Sequence, residues 1–194
     1  MHLFYAEDYD GSREESRALL GQAMDRYFQK ENRNPEASTK ELLERICVGN
    51  LGKPYIPGFV PYSISHTGRY WAVLFSETPC GLDIQKWQKS NYMKLAERFY
   101  QEDEIQSVRE NGEAEFFRIW ARREAFRKAL GLSVFTEAES VLSDCANHAG
   151  ERYRLQDVKM PFLCDAAICV QLTEENSAGM ECNLEAERIE IERL

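Results

Sequence analysis

Apolar positions Leu19, Leu20, Ala23, Tyr27 and Phe28 recur at helical spacing, so residues 14–29 are predicted to form a helix. A second helix is predicted over residues 39–48, where Leu42, Leu43, Ile46 and Cys47 form the stripe. Ser38 or Thr39 can cap it, and Gly49 follows as a stop signal. Three prolines and three glycines over residues 49–61 read as a loop. Residues 62–65 then alternate like a short strand. Residues 62–65, 70–75 and 81–85 are predicted strands, the last two joined by a turn at Glu77-Thr78-Pro79. Helical spacing returns from Met93 through Phe99 and again over residues 113–130. Strand-like segments close the chain near residues 152–158, 166–172 and 187–191. The order helices-then-strands, repeated once, predicts an α+β fold of two similar halves, residues 1–86 and 87–194, within one integrated domain.

Composition narrows the functional classes. The chain has 194 residues, with 43% hydrophobic and 29% charged, ordinary for a globular protein and too apolar for a largely disordered one. The longest apolar run, residues 162–172, is broken by Asp165 and is well short of the roughly 20 residues that span a bilayer. The opening Met-His-Leu-Phe-Tyr-Ala-Glu-Asp has neither a basic nor an apolar leader region, so no secretory signal is expected. A net charge of −9 argues against a nucleic-acid partner. Charge is uneven, however: residues 174–194 carry seven Glu and two Arg, whereas residues 118–128 carry five basic residues and one Glu. The basic stretch is either a solvated helix face or a patch for a small anion or a docking partner. Cysteines at 47, 80, 145, 164, 169 and 182 include no Cys-x-x-Cys pair, so reduced thiols are expected.

Three segments carry candidate chemistry. At 100° per residue, Trp120, Glu124 and Lys128 fall within about 40° of one line, while Ile119, Phe126 and Leu130 cluster on another side. One helix would thus bury an apolar stripe and present an acid and a base one turn apart, which is also the pattern of a simple i,i+4 ion pair. In Gly81-Leu82-Asp83-Ile84-Gln85, strand alternation puts Asp83 and Gln85 on one face and Leu82 and Ile84 on the other. An Asp among apolar strand residues requires a partner, either a bound cation or a basic side chain. In Tyr62-Ser63-Ile64-Ser65-His66-Thr67-Gly68-Arg69, hydroxyl, imidazole and guanidinium donors gather at a strand end, a set suited to phosphate oxygens. No Gly-x-Ser-x-Gly elbow accompanies them, which disfavours a serine hydrolase.

In this order the segments resemble the 4′-phosphopantetheinyl transferases of the surfactin-synthetase-activating type. Arg17-Ala18-Leu19-Leu20-Gly21 resembles an Arg-x-Leu-Leu-Gly helix, and Gly52-Lys53-Pro54 matches a Gly-Lys-Pro loop. Tyr62 to Thr67 resembles Phe-Asn-Ile-Ser-His-Ser, and Gly81 to Gln85 resembles Gly-Ile-Asp-Ile-Glu. Arg98-Phe99-Tyr100 followed by Glu104 resembles Arg-Phe-Phe and its Glu, and Trp120 to Lys128 resembles Trp-x-x-Lys-Glu-x-x-x-Lys. The likeness covers residues 13 to about 135. Two departures stand inside it: Gln85 replaces a second metal-binding carboxylate, and Arg123 replaces the Lys before the catalytic Glu.

The resemblance implies a pseudo-twofold α+β fold with coenzyme A bound in the cleft between the halves. It implies transfer of the phosphopantetheine arm to a serine of an acyl or peptidyl carrier protein, releasing adenosine 3′,5′-bisphosphate. Asp83 and Glu124, with Gln85, would hold Mg²⁺; Glu124 would take the serine proton; Lys128 would stabilise the leaving phosphate. Arg17, Lys53, Ser65 and His66 would bind coenzyme A, Arg17 at its 3′-phosphate. A cytoplasmic monomer is expected. A non-catalytic relative that binds coenzyme A or a carrier, motivated by the changes at positions 85 and 123, and a coenzyme A diphosphate hydrolase are the alternatives.

Overall fold

The computed structural model describes residues 1–49, 52–132, 139–173 and 189–194. Most of the acidic run that begins at Glu174, and Cys182, lie outside the described residues. Strand β1 (His2–Ala6) leads into helix α1 (Arg13–Lys30), and α2 (Thr39–Glu44) precedes the short strands β2 (Cys47–Val48) and β3 (Pro54–Tyr55). Strands β4 (Tyr62–Thr67), β5 (Tyr70–Phe75) and β6 (Cys80–Gln85) follow, then helices α3 (Tyr92–Phe99), α4 (Glu102–Asn111) and α5 (Glu113–Leu130). Strands β7 (Cys145–His148), β8 (Glu151–Asp157), β9 (Asp165–Gln171) and β10 (Glu190–Arg193) complete the α+β chain.

Local chemistry accounts for the helix ends. Ser12 Oγ accepts the N–H of Glu15 at 3.0 Å and starts α1. Ser38 and Glu41 form a capping box at α2. The predicted second helix ends at Glu44, earlier than its apolar stripe suggests, because Cys47 and Val48 instead pair with Tyr55 and Pro54 as a small hairpin. Strands β1 and β7 and helix α4 were not predicted. Helix α4 is mostly polar and charged, with Ile105 and Val108 its buried apolar residues, too few for a periodic stripe.

Two four-stranded sheets form, ordered β10-β1-β5-β4 and β6-β9-β8-β7. Side chains alternate across each. Phe4, Tyr62, Trp71, Val73 and Phe75 pack with residues of α1 and α2, whereas Leu3, Ala72 and Leu74 join Leu82, Ile84, Ile168 and Val170 of the second sheet. The opposite face of the second sheet, with Tyr153, Leu155, Ala167 and Cys169, packs against α3, α4 and α5. The layers are therefore helices, sheet, sheet, helices, and the shared sheet-on-sheet core ties the two halves together. Tyr70 stacks on Phe162 of the β8–β9 loop at 3.9 Å between ring centroids, a further tie between the sheets.

The exchange between sheets differs from the division at residue 86. Strand β6 precedes that point in sequence yet pairs with β9, and β10 returns from the end of the chain to lie parallel to β1. Residues 76–79 are thus a crossing from one sheet to the other rather than a hairpin turn.

Where the sheets meet, β4 and β6 lie side by side without forming a ladder. Ser63 Oγ accepts the N–H of Leu82 at 3.0 Å, Ser65 Oγ that of Ile84 at 3.2 Å, and Thr67 Oγ1 that of Lys86 at 3.1 Å. The constant offset of 19 residues means the two segments run parallel. Side-chain hydroxyls thereby satisfy backbone donors on an edge that carries no neighbouring strand.

Candidate active site

The site grows from that seam. Alternation on β6 puts Leu82 and Ile84 into the sheet-on-sheet core and turns Gly81, Asp83 and Gln85 toward α5. Gly81 lets α5 come close: an added Cβ would lie 1.8 Å from the carbonyl oxygen of Ala125. This approach sets Asp83 beside the C-terminal half of α5. Asp83 Oδ1 accepts from Ser65 Oγ at 2.9 Å and from Lys128 Nζ at 2.8 Å, and Lys128 also donates to the carbonyl oxygen of Leu82 at 2.9 Å. Glu124, one turn before Lys128, accepts from Arg127 Nη1 at 2.8 Å through Oε1. Burial first, and then the charge of Asp83, raise the Glu124 carboxyl above its ordinary range, against the pull of Arg127 and Lys128. Among the described residues no hydrogen bond reaches Oδ2 of Asp83 or Oε2 of Glu124.

The remaining predicted residues distribute along the same seam. Lys53 is half-buried and donates to the carbonyl oxygen of Cys80 at 2.6 Å; burial, the largest cause, lowers its pKa. Lys53 and Lys128 line one pocket of about 220 Å³ with Gly52, Pro54, Tyr62, Ser63, Ile64, Gly131 and Leu132. Gly131 ends α5 in the left-handed conformation, φ 67°, where glycine has no Cβ penalty. Ser65 is buried with its hydroxyl committed to Asp83 and Ile84, so it orients the carboxylate instead of offering an open donor to phosphate. His66 is exposed and packs on Tyr9 at 5.4 Å between centroids. Arg17 is exposed on the first turns of α1, next to Ser16, whose hydroxyl accepts from the Trp71 indole at 2.9 Å. Trp71 is the ladder partner of His66, so Arg17 and His66 share one end of the first sheet. Gln85 Nε2 donates to the carbonyl oxygen of Lys86 at 3.0 Å. Gln85 also lines a separate pocket of about 110 Å³ with Gln88, Ser90, Leu95, Phe116, Phe117 and Trp120. The structure thus brings Asp83, Ser65, Glu124 and Lys128 together, joins Lys53 through the pocket, keeps Arg17 and His66 at one end of the first sheet, and leaves Gln85 two residues beyond Asp83 in the separate pocket beside Trp120.

The face expected on α5 is present: from residue 119 to 129 the partly exposed residues are Trp120, Glu124 and Lys128, apart from the buried Ile119 and Phe126. One reading of α5 changes: Arg122, Arg123 and Arg127 are buried as well. The basic stretch is not a docking patch, because its arginines are paired. Arg118 contacts Glu115 and Asp157; Arg122 contacts Asp144 and Asp157; Arg123 contacts Glu104; Arg127 contacts Glu124. Arg123, the departure noted beside Glu124, points away from Asp83 and into a buried pair with Glu104 at 2.6 Å. Its change from Lys therefore bears on how α4 is joined to α5. Cysteine usage differs too: Cys145 is disulfide-bonded, whereas Cys47, Cys80, Cys164 and Cys169 are free. The sequence did not single out Arg127, and the hydroxyls of Ser63 and Thr67, read as donors to phosphate, instead accept backbone N–H groups of Leu82 and Lys86. The Ser-x-Ser-x-Thr alternation was a readable signal for the hydroxyls; an arginine between two motif residues gave none.

Residues 79–180 match the sequence profile of the 4′-phosphopantetheinyl transferase superfamily. The chain belongs to this superfamily. The match starts where β6 opens the second sheet and includes Asp83, Glu124 and Lys128. Among curated 4′-phosphopantetheinyl transferases, the chain is 30% identical to psf-1 of Bacillus pumilus over 152 residues, which is 75% of this chain and 63% of the relative. It is 31% identical to Sfp of Bacillus subtilis over 105 residues, 50% of this chain and 46% of that protein. With gsp of Aneurinibacillus migulanus it shares 30% identity over 97 residues, 48% of this chain and 40% of the relative. The chain thus spans between 40% and 63% of the length of these relatives. Membership in the transferase superfamily gives the Asp83–Lys128–Glu124 arrangement its context: a superfamily named for moving a phosphate-linked arm, here with two carboxylates and a lysine at the seam.

Proposed function

We propose that this protein transfers the 4′-phosphopantetheine group of coenzyme A to a serine hydroxyl of an acyl or peptidyl carrier protein. The observation that carries this reading is the convergence of Asp83, Glu124 and Lys128 beside a pocket lined by a second lysine, in a chain of this superfamily. The serine oxygen forms a bond to the pantetheine-side phosphorus, the bond from that phosphorus to the bridging oxygen breaks, and adenosine 3′,5′-bisphosphate leaves. Glu124, its basicity raised by burial and by Asp83, accepts the serine proton. Lys128, held at the carboxylate and at the Leu82 carbonyl, meets the negative charge that gathers on the leaving phosphate. Ser65 fixes the orientation of Asp83 through a hydrogen bond rather than by touching substrate. Lys53 and Lys128 give the larger pocket the charge to receive the nucleotide, with Arg17 and His66 as the further contacts expected for coenzyme A.

The donor set fits a hard divalent cation. Asp83 and Glu124 hold adjacent residues of α5, Lys128 and Arg127, each at 2.8 Å, and each carboxylate has one oxygen free of hydrogen bonds among the described residues. Mg²⁺ held by Asp83 and Glu124, with Gln85 as neighbour, would polarise the diphosphate. No cluster of three or more His, Cys, Asp or Glu suited to a metal occurs among the described residues, in keeping with the glutamine at position 85.

The same reading includes a pseudo-twofold relation between the halves, supported by a four-stranded sheet and an 18-residue helix in each. It also includes action as a monomer in the cytoplasm, where coenzyme A and carriers meet. No helix among the described residues is long and apolar enough to cross a membrane. The test is the intact mass of an apo carrier after incubation with the protein, Mg²⁺ and coenzyme A. A gain of one phosphopantetheine is expected. Coenzyme A cleaved without carrier labelling would instead identify a hydrolase, and binding with neither outcome a non-catalytic relative.

A further inference from the structure

The Trp-x-x-Lys-Glu-x-x-x-Lys pattern leaves position 127 unspecified, yet here it holds an arginine at the centre of the site. Arg127 Nη1 lies 2.8 Å from Glu124 Oε1, with side chains 9% and 15% exposed, so the contact is largely shielded from water. Lys128 makes the corresponding contact with Asp83. Each carboxylate of the pair therefore already holds a cation from α5. Gln85 adds no charge. A dication brought to Asp83 and Glu124 meets attraction from two carboxylates and repulsion from two resident cations at low effective dielectric.

We propose that Arg127 is a built-in counter-ion of Glu124 that keeps divalent-cation affinity low in the free protein, so that the metal enters together with the diphosphate of coenzyme A. The inference rests on the metal reading of Asp83 and Glu124 given above. The incoming diphosphate supplies the negative charge that the resident cations cancel. Arg127 then exchanges its hold on Glu124 for the added anion, and the carboxylate becomes available to the metal. In this way the enzyme avoids standing metal occupancy and couples metal capture to substrate.

Mn²⁺ binding, followed by electron paramagnetic resonance of the free ion, tests this without any turnover. In the free protein Arg127→Leu should bind Mn²⁺ at least tenfold more tightly than wild type, because the cation that holds Glu124 is replaced by an apolar group. Arg127→Lys, which keeps the charge, should stay within about threefold of wild type. Equal or weaker binding by a folded Arg127→Leu would overturn the assignment. The wild-type protein gives a second readout that needs no variant: saturating coenzyme A should tighten Mn²⁺ binding at least tenfold beyond the binding of Mn²⁺ by coenzyme A alone. Absence of that coupling would also overturn the proposal. Failure of carrier labelling with the Mn²⁺ shifts intact would sink the transferase reading and leave the counter-ion role standing.

Discussion

Gly81→Ala should be among the most damaging single-methyl additions available in this protein. The new Cβ would sit 1.8 Å from the carbonyl oxygen of Ala125, 2.6 Å from the nitrogen of Ala129 and 2.9 Å from the carbonyl carbon of Ala125. Ordinary carbon contacts lie at about 3.5–4.0 Å, so α5 has to retreat by roughly 2 Å. All three neighbours are backbone, so no rotamer change relieves the clash. Retreat of the helix lifts Ile119, Ala125 and Phe126, each 0% exposed, off the sheet they cover. Overpacking usually costs about 1–3 kcal/mol, and a backbone clash under a central helix belongs at or above the top of that range. Against a total stability of about 5–15 kcal/mol, a loss of ~3 kcal/mol shows readily in urea denaturation followed by circular dichroism. The same shift separates Lys128 from Asp83, which are 2.8 Å apart, beyond hydrogen-bonding range. Misplacement by about 1 Å can cost on the order of 100-fold in rate, so carrier labelling by the folded fraction should fall by at least that factor. An unchanged urea midpoint with an unchanged slope would refute the packing argument. A folded variant that labels carrier at the wild-type rate would refute the link from that packing to the site.

Other substitutions separate structure from chemistry. Asp83→Asn should leave the unfolding free energy in urea within about 1 kcal/mol of wild type but reduce carrier labelling at least 100-fold, about 2.7 kcal/mol of transition-state stabilisation; more than a tenth of wild-type rate would remove Asp83 from the machinery. Glu104→Gln should cost about 3–5 kcal/mol, because Arg123 is left charged and only 3% exposed while Glu104 itself is fully buried; a loss under about 1 kcal/mol in urea would show that the pair is not a structural tie. Gln85→Glu should lower the Mg²⁺ concentration for half-maximal labelling with little change in maximal rate, since a carboxylate is the better ligand for a hard cation, and an unmoved midpoint would put position 85 outside metal reach. Tyr62→Phe should leave stability unchanged or raise it slightly, because the Tyr62 hydroxyl is buried without a partner among the described residues; a loss above about 1 kcal/mol would mean that the hydroxyl is bonded.

How far the sequence could be read depends on which interactions set each element. The strands β4 and β6 follow from period-two alternation and β5 from a short continuous apolar run, and the faces of Asp83 and Gln85 follow with β6, because a strand has only two sides. Helix α5 over Glu113–Leu130 was legible from its length and periodicity. The line of Trp120, Glu124 and Lys128 was legible with it, but the burial of Arg122, Arg123 and Arg127 was not, since a charged residue off the apolar stripe reads as solvent-exposed. The arginines at 118, 122, 123 and 127 carry local positive charge in the sequence but are neutralised by Glu115, Asp157, Asp144, Glu104 and Glu124, partners that folding brings in from as many as 39 residues away. A charge window along the chain cannot anticipate such pairing. The same limit hid the sheet exchange at residues 76–79: two apolar strands separated by a short turn look identical whether they pair with each other or part into different sheets.

The hydroxyl seam shows why this fold places its chemistry where it does. Strand β6 needs its free-edge N–H groups satisfied, and the hydroxyls of Ser63, Ser65 and Thr67 do so one side chain's length away from β4. A backbone ladder would close that gap, since paired strands stand about 4.8 Å apart. Hydroxyl bridging leaves β4 and β6 in register yet belonging to separate sheets, with room beside the seam for the pocket that Lys53 and Lys128 line. Ser65 then does two things with one oxygen: it accepts from Ile84 to hold the seam and donates to Asp83 to aim the carboxylate. Replacing Ser65 by alanine would take away both at once, whereas threonine keeps the oxygen and adds a methyl to a buried site. The position of the carboxylate is therefore a consequence of how two sheets are joined, and Asp83 cannot be moved along the seam without also changing the register of β4 against β6.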